Sequence, residues 1–230
     1  MTLVTLGARA PTPAAVSPAQ LRPSQAPAMS LQQGPLNLEE LAGSVAVVTG
    51  CANRGIGWGL CKRCAEMGMS VALVDLHHHM VSTAADELAE LYPDVRCAAI
   101  ECDVGDAASV AACLGSVLEA FPAAPIGAVF ANAGVIFNKT ILRSSIEDFE
   151  LTLRVNVIGV VNTIQAFVPV LQQQDSSSIM CSTASVGGIS RGDGGGAAYQ
   201  GSKAAVVSIS ETLSFELARR SPQVRVHVLW

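Results

Sequence analysis

Tyr199 and Lys203 carry the side chains best placed to do chemistry. Four positions apart on a helix, they share one face and come close enough to interact. A free phenol titrates near pH 10 and is a poor base at neutral pH, and lowering it by about three units takes roughly 4 kcal/mol. An ammonium about 4 Å away supplies roughly that much at an effective dielectric of 20. The pair is therefore a candidate acid/base couple for a substrate oxygen. A hydroxyl to hold that oxygen is available just upstream, in Ser182-Thr183-Ala184-Ser185-Val186-Gly187-Gly188, from any of its three hydroxyl residues.

A second constellation lies near the start of the patterned chain: Thr49-Gly50-Cys51-Ala52-Asn53-Arg54-Gly55-Ile56-Gly57. Glycines here permit a sharp strand-to-helix turn and a close approach of the backbone to a pyrophosphate, which the positive end of the following helix attracts. The next apolar run ends in Asp75, 18 positions after Gly57. A carboxylate there can accept hydrogen bonds from an adenosine ribose, so turn and acid together signal a dinucleotide site.

These residues need elements to position them. Short apolar runs fall at Val45 to Thr49, Ser70 to Asp75, Val95 to Glu101, Ile126 to Ala131, Ser178 to Thr183 and Val224 to Leu229. Several have no polar face, which marks parallel strands covered on both sides. Helix-length stretches lie between them, near Gly57 to Met67, Met80 to Leu91, Ala107 to Phe121, Ile146 to Leu171 and Ala198 to Arg220. Strand and helix in strict alternation specify an α/β fold, an open, doubly wound parallel sheet with helices on both faces.

Composition narrows the function classes. The 230 residues are 50% hydrophobic and 14% charged, with a net charge of -5 and a mean hydropathy of +0.41. No broad electropositive surface is available for nucleic acid. No run reaches the roughly 18 uninterrupted apolar residues of a membrane span, so the stretch from Val155 to Leu171, interrupted by Asn156, Asn162 and Gln165, reads as a buried helix. Residues 1–40 differ from the rest, with six prolines from Pro11 to Pro35 and no acidic residue before Glu39. They read as a disordered arm, or as an organelle-targeting peptide from their Ala, Ser, Thr and Arg content. Seven scattered cysteines and no secretory leader suit a reducing, cytoplasmic setting. Cys61 and Cys64 form a C-x-x-C without a second ligand pair, and His77, His78 and His79 cannot all face one ion, so no metal site is expected.

The motifs resemble those of the short-chain dehydrogenase/reductase family. Its Thr-Gly-x-x-x-Gly-x-Gly turn matches Thr49 to Gly57, with one extra residue between Gly50 and Gly55. The enlarged turn, followed by Ile56-Gly57-Trp58-Gly59, is also similar to that of the related enoyl-thioester reductases, whose tyrosine-to-lysine spacing is usually longer. Ala131-Asn132-Ala133-Gly134 resembles the family's Asn-Asn-Ala-Gly element, and Tyr199-Gln200-Gly201-Ser202-Lys203 its Tyr-x-x-x-Lys. The resemblance implies a Rossmann-type fold over residues 41–230. It also implies a nicotinamide cofactor held by Gly50, Asn53, Arg54, Gly55, Ile56, Gly57, Asp75, Asp103, Val104, Asn132, Ala133 and Gly134, with Tyr199 and Lys203. For catalysis it implies Tyr199 as acid/base and Lys203 lowering its pKa and binding the nicotinamide ribose. Ser185 holds the substrate oxygen, with Ser182 in reserve, and Asn156 supports a water relay.

Asp75 favours NAD over NADP, because a carboxylate repels the extra phosphate. Arg54 argues the other way, but it can turn into solvent or pair with Asp75. The substrate implied is a small secondary alcohol or its ketone, and the long helices imply a homodimer or homotetramer. Family members continue past the sixth strand into a substrate-binding segment and a seventh strand, so the chain reads as C-terminally truncated. The alternative function is a catalytically impaired fragment or non-catalytic member acting through cofactor binding or association.

Overall fold

Six short apolar runs, several without a polar face, can be buried only inside a layered sheet. In the computed structural model, which describes residues 38–189 and 196–230, they are β1 (Val45–Thr49), β2 (Ser70–Asp75), β3 (Cys97–Glu101), β4 (Ile126–Ala131), β5 (Ser178–Thr183) and β6 (Val224–Leu229). All pair in parallel, in the order β3-β2-β1-β4-β5-β6. The expectations for the N-terminal arm over residues 1–37, and for the glycine-rich insertion over residues 190–195, lie outside the described residues.

The crossovers are α1 (Ile56–Glu66), α2 (His78–Leu91), α3 (Ala107–Ala120), α4 (Ile146–Leu153), α5 (Gly159–Gln173) and α6 (Gly196–Arg220). Alternate side chains of a strand face opposite sides. Val45 and Val47 accordingly join a core with α3, α5 and α6, while Ala46 and Val48 join a second core with α1 and α2. Fully burying a side chain such as Phe167 or Leu171 contributes about 1.5–3 kcal/mol. Chain direction across the sheet reverses at β1, whose neighbours are β2 and β4, so a crevice opens beyond the carboxyl ends of β1 and β4.

α1, α2, α3 and α6 begin or end within two residues of the expected bounds, and one strand and the longest expected helix also differ from the sequence reading. β3 begins at Cys97 rather than Val95, because the Val95 N–H closes a turn onto the Tyr92 carbonyl. The single helix expected from Ile146 to Leu171 is α4 and α5 joined by a π-helical turn, Arg154–Ile158. Such a turn inserts one extra residue and re-aims the side chains within it. Here it carries Asn156. The joined stretch is long and apolar enough to cross a membrane by length and composition, yet it buries Val160, Phe167 and Leu171 in the core.

Candidate active site

The crevice is a cleft of about 430 Å³. Gly50, Asn53, Ile56, Gly57, Asp75, Asp103, Val104, Asn132, Ala133, Gly134, Tyr199 and Lys203 line it, whereas Arg54, Gly55, Asn156 and Ser185 are not on its wall. Residues from both ends of the chain thus meet in one place.

The glycine-rich turn is close-packed. Gly50 has φ 68°, and a Cβ there would fall 2.6 Å from the Ala133 Cα. A Cβ on Gly57 would strike the Gly50 carbonyl oxygen and come within 2.6 Å of Asn132 Nδ2. Asp75 braces the turn from β2, one carboxylate oxygen accepting the Ala52 N–H and the other the Leu76 N–H, each at 2.8 Å. Arg54 takes a left-handed φ of 50° and pairs with Glu87 of α2, rather than turning to Asp75 or hanging free. Arg54 and Gly55 thus stand off the cleft wall, where the resemblance had set them among the cofactor-binding residues.

A polar latch, which sequence reading missed, joins the carboxyl ends of three strands. Thr49 Oγ1 donates to the Phe130 carbonyl at 3.2 Å and accepts the Asn132 and Ala133 N–H groups at 3.0 Å. Asn132 Nδ2 donates to the Thr49 and Gly50 carbonyls at 2.9 and 3.0 Å, and Thr183 Oγ1 donates to Asn132 Oδ1 at 3.1 Å. Asn132 is therefore committed to holding the floor of the cleft. Thr183, one of the three hydroxyl candidates, belongs to this latch. Its only local signal is its place at the end of a fully buried strand.

On the far side, Asp103 accepts the Gly105 N–H at 2.8 Å and pairs with Arg154 at 2.9 Å. The Val104 carbonyl accepts from Asn162 Nδ2 at 2.8 Å. The π-turn and the start of α5 thereby hold the loop after β3. Asn156 is fully buried; its Oδ1 accepts the Val135 N–H at 2.7 Å, and its Nδ2 donates to the Val135 carbonyl and to Ser202 Oγ at 2.9 and 3.0 Å. Ser202 Oγ donates in turn to the Tyr199 carbonyl at 2.7 Å. Asn156 thus braces the β4 loop against the first turn of α6 from behind the wall.

Tyr199 and Lys203 face the cleft from α6, with Lys203 Nζ 5.7 Å from the centre of the Tyr199 ring. Lys203 is 3% exposed, and its ammonium donates to the Thr183 carbonyl at 2.7 Å. Burial pulls its pKa down to about 8, so at pH 7 it remains mostly protonated. Ser185 is half-buried and caps the short turn Val186–Gly188, its Oγ accepting the Gly187 N–H at 3.1 Å. That turn packs against α6: a Cβ on Gly188 would lie 2.7 Å from the Lys203 carbonyl carbon and 2.8 Å from the Ala204 nitrogen. Ser182 is fully buried inside β5 and Ser185 is half-buried, and neither lies on the cleft wall. Cys61 and Cys64 lie on the core face of α1, where burial pushes the Cys64 thiol up to about 12. His77, His78 and His79 are exposed, with His77 on the cleft wall and His78 against Ser82 at 3.3 Å.

Comparison with known proteins places this arrangement among relatives. A profile of the short chain dehydrogenase family matches residues 44–230. The 3alpha-hydroxysteroid dehydrogenase of Mediterraneibacter gnavus is 33% identical over 177 residues, covering 77% of this chain and 69% of that protein. A short chain dehydrogenase/reductase from Burkholderia phymatum, crystallised in complex with NAD, superposes with a TM-score of 0.76 at 31% identity, covering 82% of this chain and 65% of that one. An alcohol dehydrogenase from the archaeon Thermococcus sibiricus, complexed with 5-hydroxy-NADP, gives a TM-score of 0.72 at 29% identity, covering 80% and 74%. Against these relatives the chain spans between 65% and 74% of their length. With a family match that spans the whole sheet, the chain belongs to the short-chain dehydrogenase family of oxidoreductases.

Proposed function

We propose that the chain uses NAD to interconvert a secondary alcohol and its ketone. The observation that carries this reading is the convergence of Tyr199 and Lys203 on the wall of the cleft that the glycine-rich turn opens. The donor set suits a dinucleotide. Gly50 and Gly57 leave a floor that a Cβ would obstruct, and α1 opens on the cleft wall at Ile56 and Gly57 with no side-chain cap at its N-terminus. When bound, the nicotinamide supplies or accepts the hydride. In the direction of reduction Tyr199 donates its phenolic proton to the carbonyl oxygen, and in oxidation it takes the alcohol proton back. The Lys203 ammonium stabilises the phenolate left behind and binds the nicotinamide ribose, and Ser185 hydrogen-bonds the substrate oxygen. Asn156 positions the first turn of α6. Asp103, Val104, Ala133 and Gly134, which line the same cleft, would hold the dinucleotide.

Asp75 sets the preference for NAD, since its carboxylate hydrogen-bonds free ribose hydroxyls and repels a ribose phosphate. The NAD complex of the Burkholderia relative supports a nicotinamide dinucleotide, and the hydroxysteroid named for the Mediterraneibacter relative is a secondary alcohol. Calorimetric titration tests the reading. NADH is expected to bind at micromolar concentration and NADPH at least tenfold more weakly, the size of one like-charge contact near a protein surface. Absence of NADH binding to folded protein would overturn it.

We also assign a second copy of the chain to the groove of about 310 Å³ between α5 and α6, where Val161, Ile164, Ile209 and Leu213 line an apolar strip. Phe215 on the same helix is 66% exposed. Light scattering should give a dimer or tetramer that Ile209→Asp dissociates, and a monomeric parent would contradict the assignment.

A further inference from the structure

Arg54 stands beside the cleft without entering it. Asn53 on one side and Ile56 and Gly57 on the other line the cleft, while the left-handed backbone at Arg54 turns its side chain outward to Glu87 on α2. Glu87 lies nearly three helical turns beyond His77, which together with Asp75 and Leu76 forms the cleft wall at the end of β2. Three formal charges therefore cluster at this end: Asp75 and Glu87 negative, Arg54 positive.

We infer that Glu87 is a positioning residue for cofactor selection, holding the Arg54 guanidinium off the cleft and so excluding a phosphorylated adenosine ribose. The inference deepens the dinucleotide reading of the cleft and rests on it. A phosphomonoester brings between one and two negative charges at neutral pH. At the Asp75 wall it meets a carboxylate whose two oxygens already accept amide N–H groups, so the acid is fixed in place and cannot swing aside. The cation that would offset this repulsion is the guanidinium, whose planar fork matches phosphate geometry. Paired with Glu87, one terminal nitrogen of that fork is engaged and the guanidinium is drawn toward α2, away from the cleft. With Glu87 neutral, the cluster loses its net negative charge and the fork is released next to a residue of the cleft wall.

The pair itself is a minor contributor to folding. Its side chains are 70% and 32% exposed, and ion pairs so open to water stabilise little. Glu87→Gln should therefore fold as the parent does, so cofactor selection can be read without a folding defect.

The test is calorimetric titration of NADH and NADPH into the parent, Glu87→Gln and the double variant Glu87→Gln with Arg54→Ala. The ratio of the NADPH to the NADH dissociation constant is expected to fall about threefold in Glu87→Gln, the most that release from one solvent-exposed ion pair can supply. It should return to the parent value in the double variant. An unchanged ratio with NADH still bound would overturn the role of Glu87 alone. A fall that survives loss of Arg54 would also overturn it, since another group would then be drawing the phosphate. If neither dinucleotide binds the folded parent, the dinucleotide reading fails and this inference falls with it.

Discussion

Tyr199→Phe should cut turnover of a ketone or secondary alcohol by about 10²–10⁴-fold, the usual contribution of a positioned general acid/base. NADH affinity should stay within a few fold. Phe keeps the ring, and with it the packing of the first turn of α6, which Ser202 and Asn156 hold through the Tyr199 carbonyl rather than its hydroxyl. Only the proton-carrying atom is lost. Steady-state kinetics with a calorimetric NADH titration separates the two effects. A variant that loses NADH binding in parallel with turnover would place Tyr199 in the scaffold rather than in the chemistry.

Lys203→Met should likewise abolish most turnover, by 10²-fold or about that order, because the phenolate loses its counter-charge. The same substitution should change how stability depends on pH. Lys203 titrates at about 8 in the native state against 10.5 when solvated, and the cause is burial. Below about pH 8 both native and unfolded chains hold the proton, and the native state bears the full desolvation penalty. Between about pH 8 and 10.5 the unfolded chain still binds a proton that the native chain has released, so native stability rises with pH. Lys203→Met lacks that rise. Denaturant unfolding of parent and variant at matched pH values should show the parent gaining on the variant by roughly 3 kcal/mol across this window, at about 1.4 kcal/mol per pKa unit. Taking the difference cancels the thiols and phenols common to both. An offset that stays flat from pH 7 to 10.5 would contradict a desolvated ammonium. The loss of the donor to the Thr183 carbonyl opposes the gain of removing a buried charge, at about 1–3 kcal/mol, so the size of the offset at neutral pH is less diagnostic than its slope.

Much of this architecture is written locally. Five of the six strands begin and end where the sequence places them, because a strand covered by helices leaves an apolar run too short to be a helix. Tyr199 and Lys203 were legible from their spacing of four at the start of the helix after the fifth strand, together with the resemblance to the family's Tyr-x-x-x-Lys. What joins distant segments was not legible. Thr49 meets Asn132 across 83 positions and Asn132 meets Thr183 across 51, and no local pattern marks either contact. The partner of Arg54 is 33 positions away on another helix, so composition could place a cation near the turn but not its direction. The π-turn at Asn156 escaped notice because its side-chain bonds to Val135 belong to tertiary structure, while Arg154 to Ile158 reads by residue type as ordinary helix.

The most direct test of hydride transfer is to follow the label. NADH carrying deuterium at the transferable nicotinamide position should be incubated with a panel of ketones and the products analysed by mass spectrometry. If the cleft works through Tyr199 and Lys203, the carbinol carbon of the alcohol product acquires one deuterium from the cofactor while its hydroxyl proton comes from solvent, and Tyr199→Phe yields almost none. Alcohol formed without the label, or label transferred equally well by Tyr199→Phe, would contradict it.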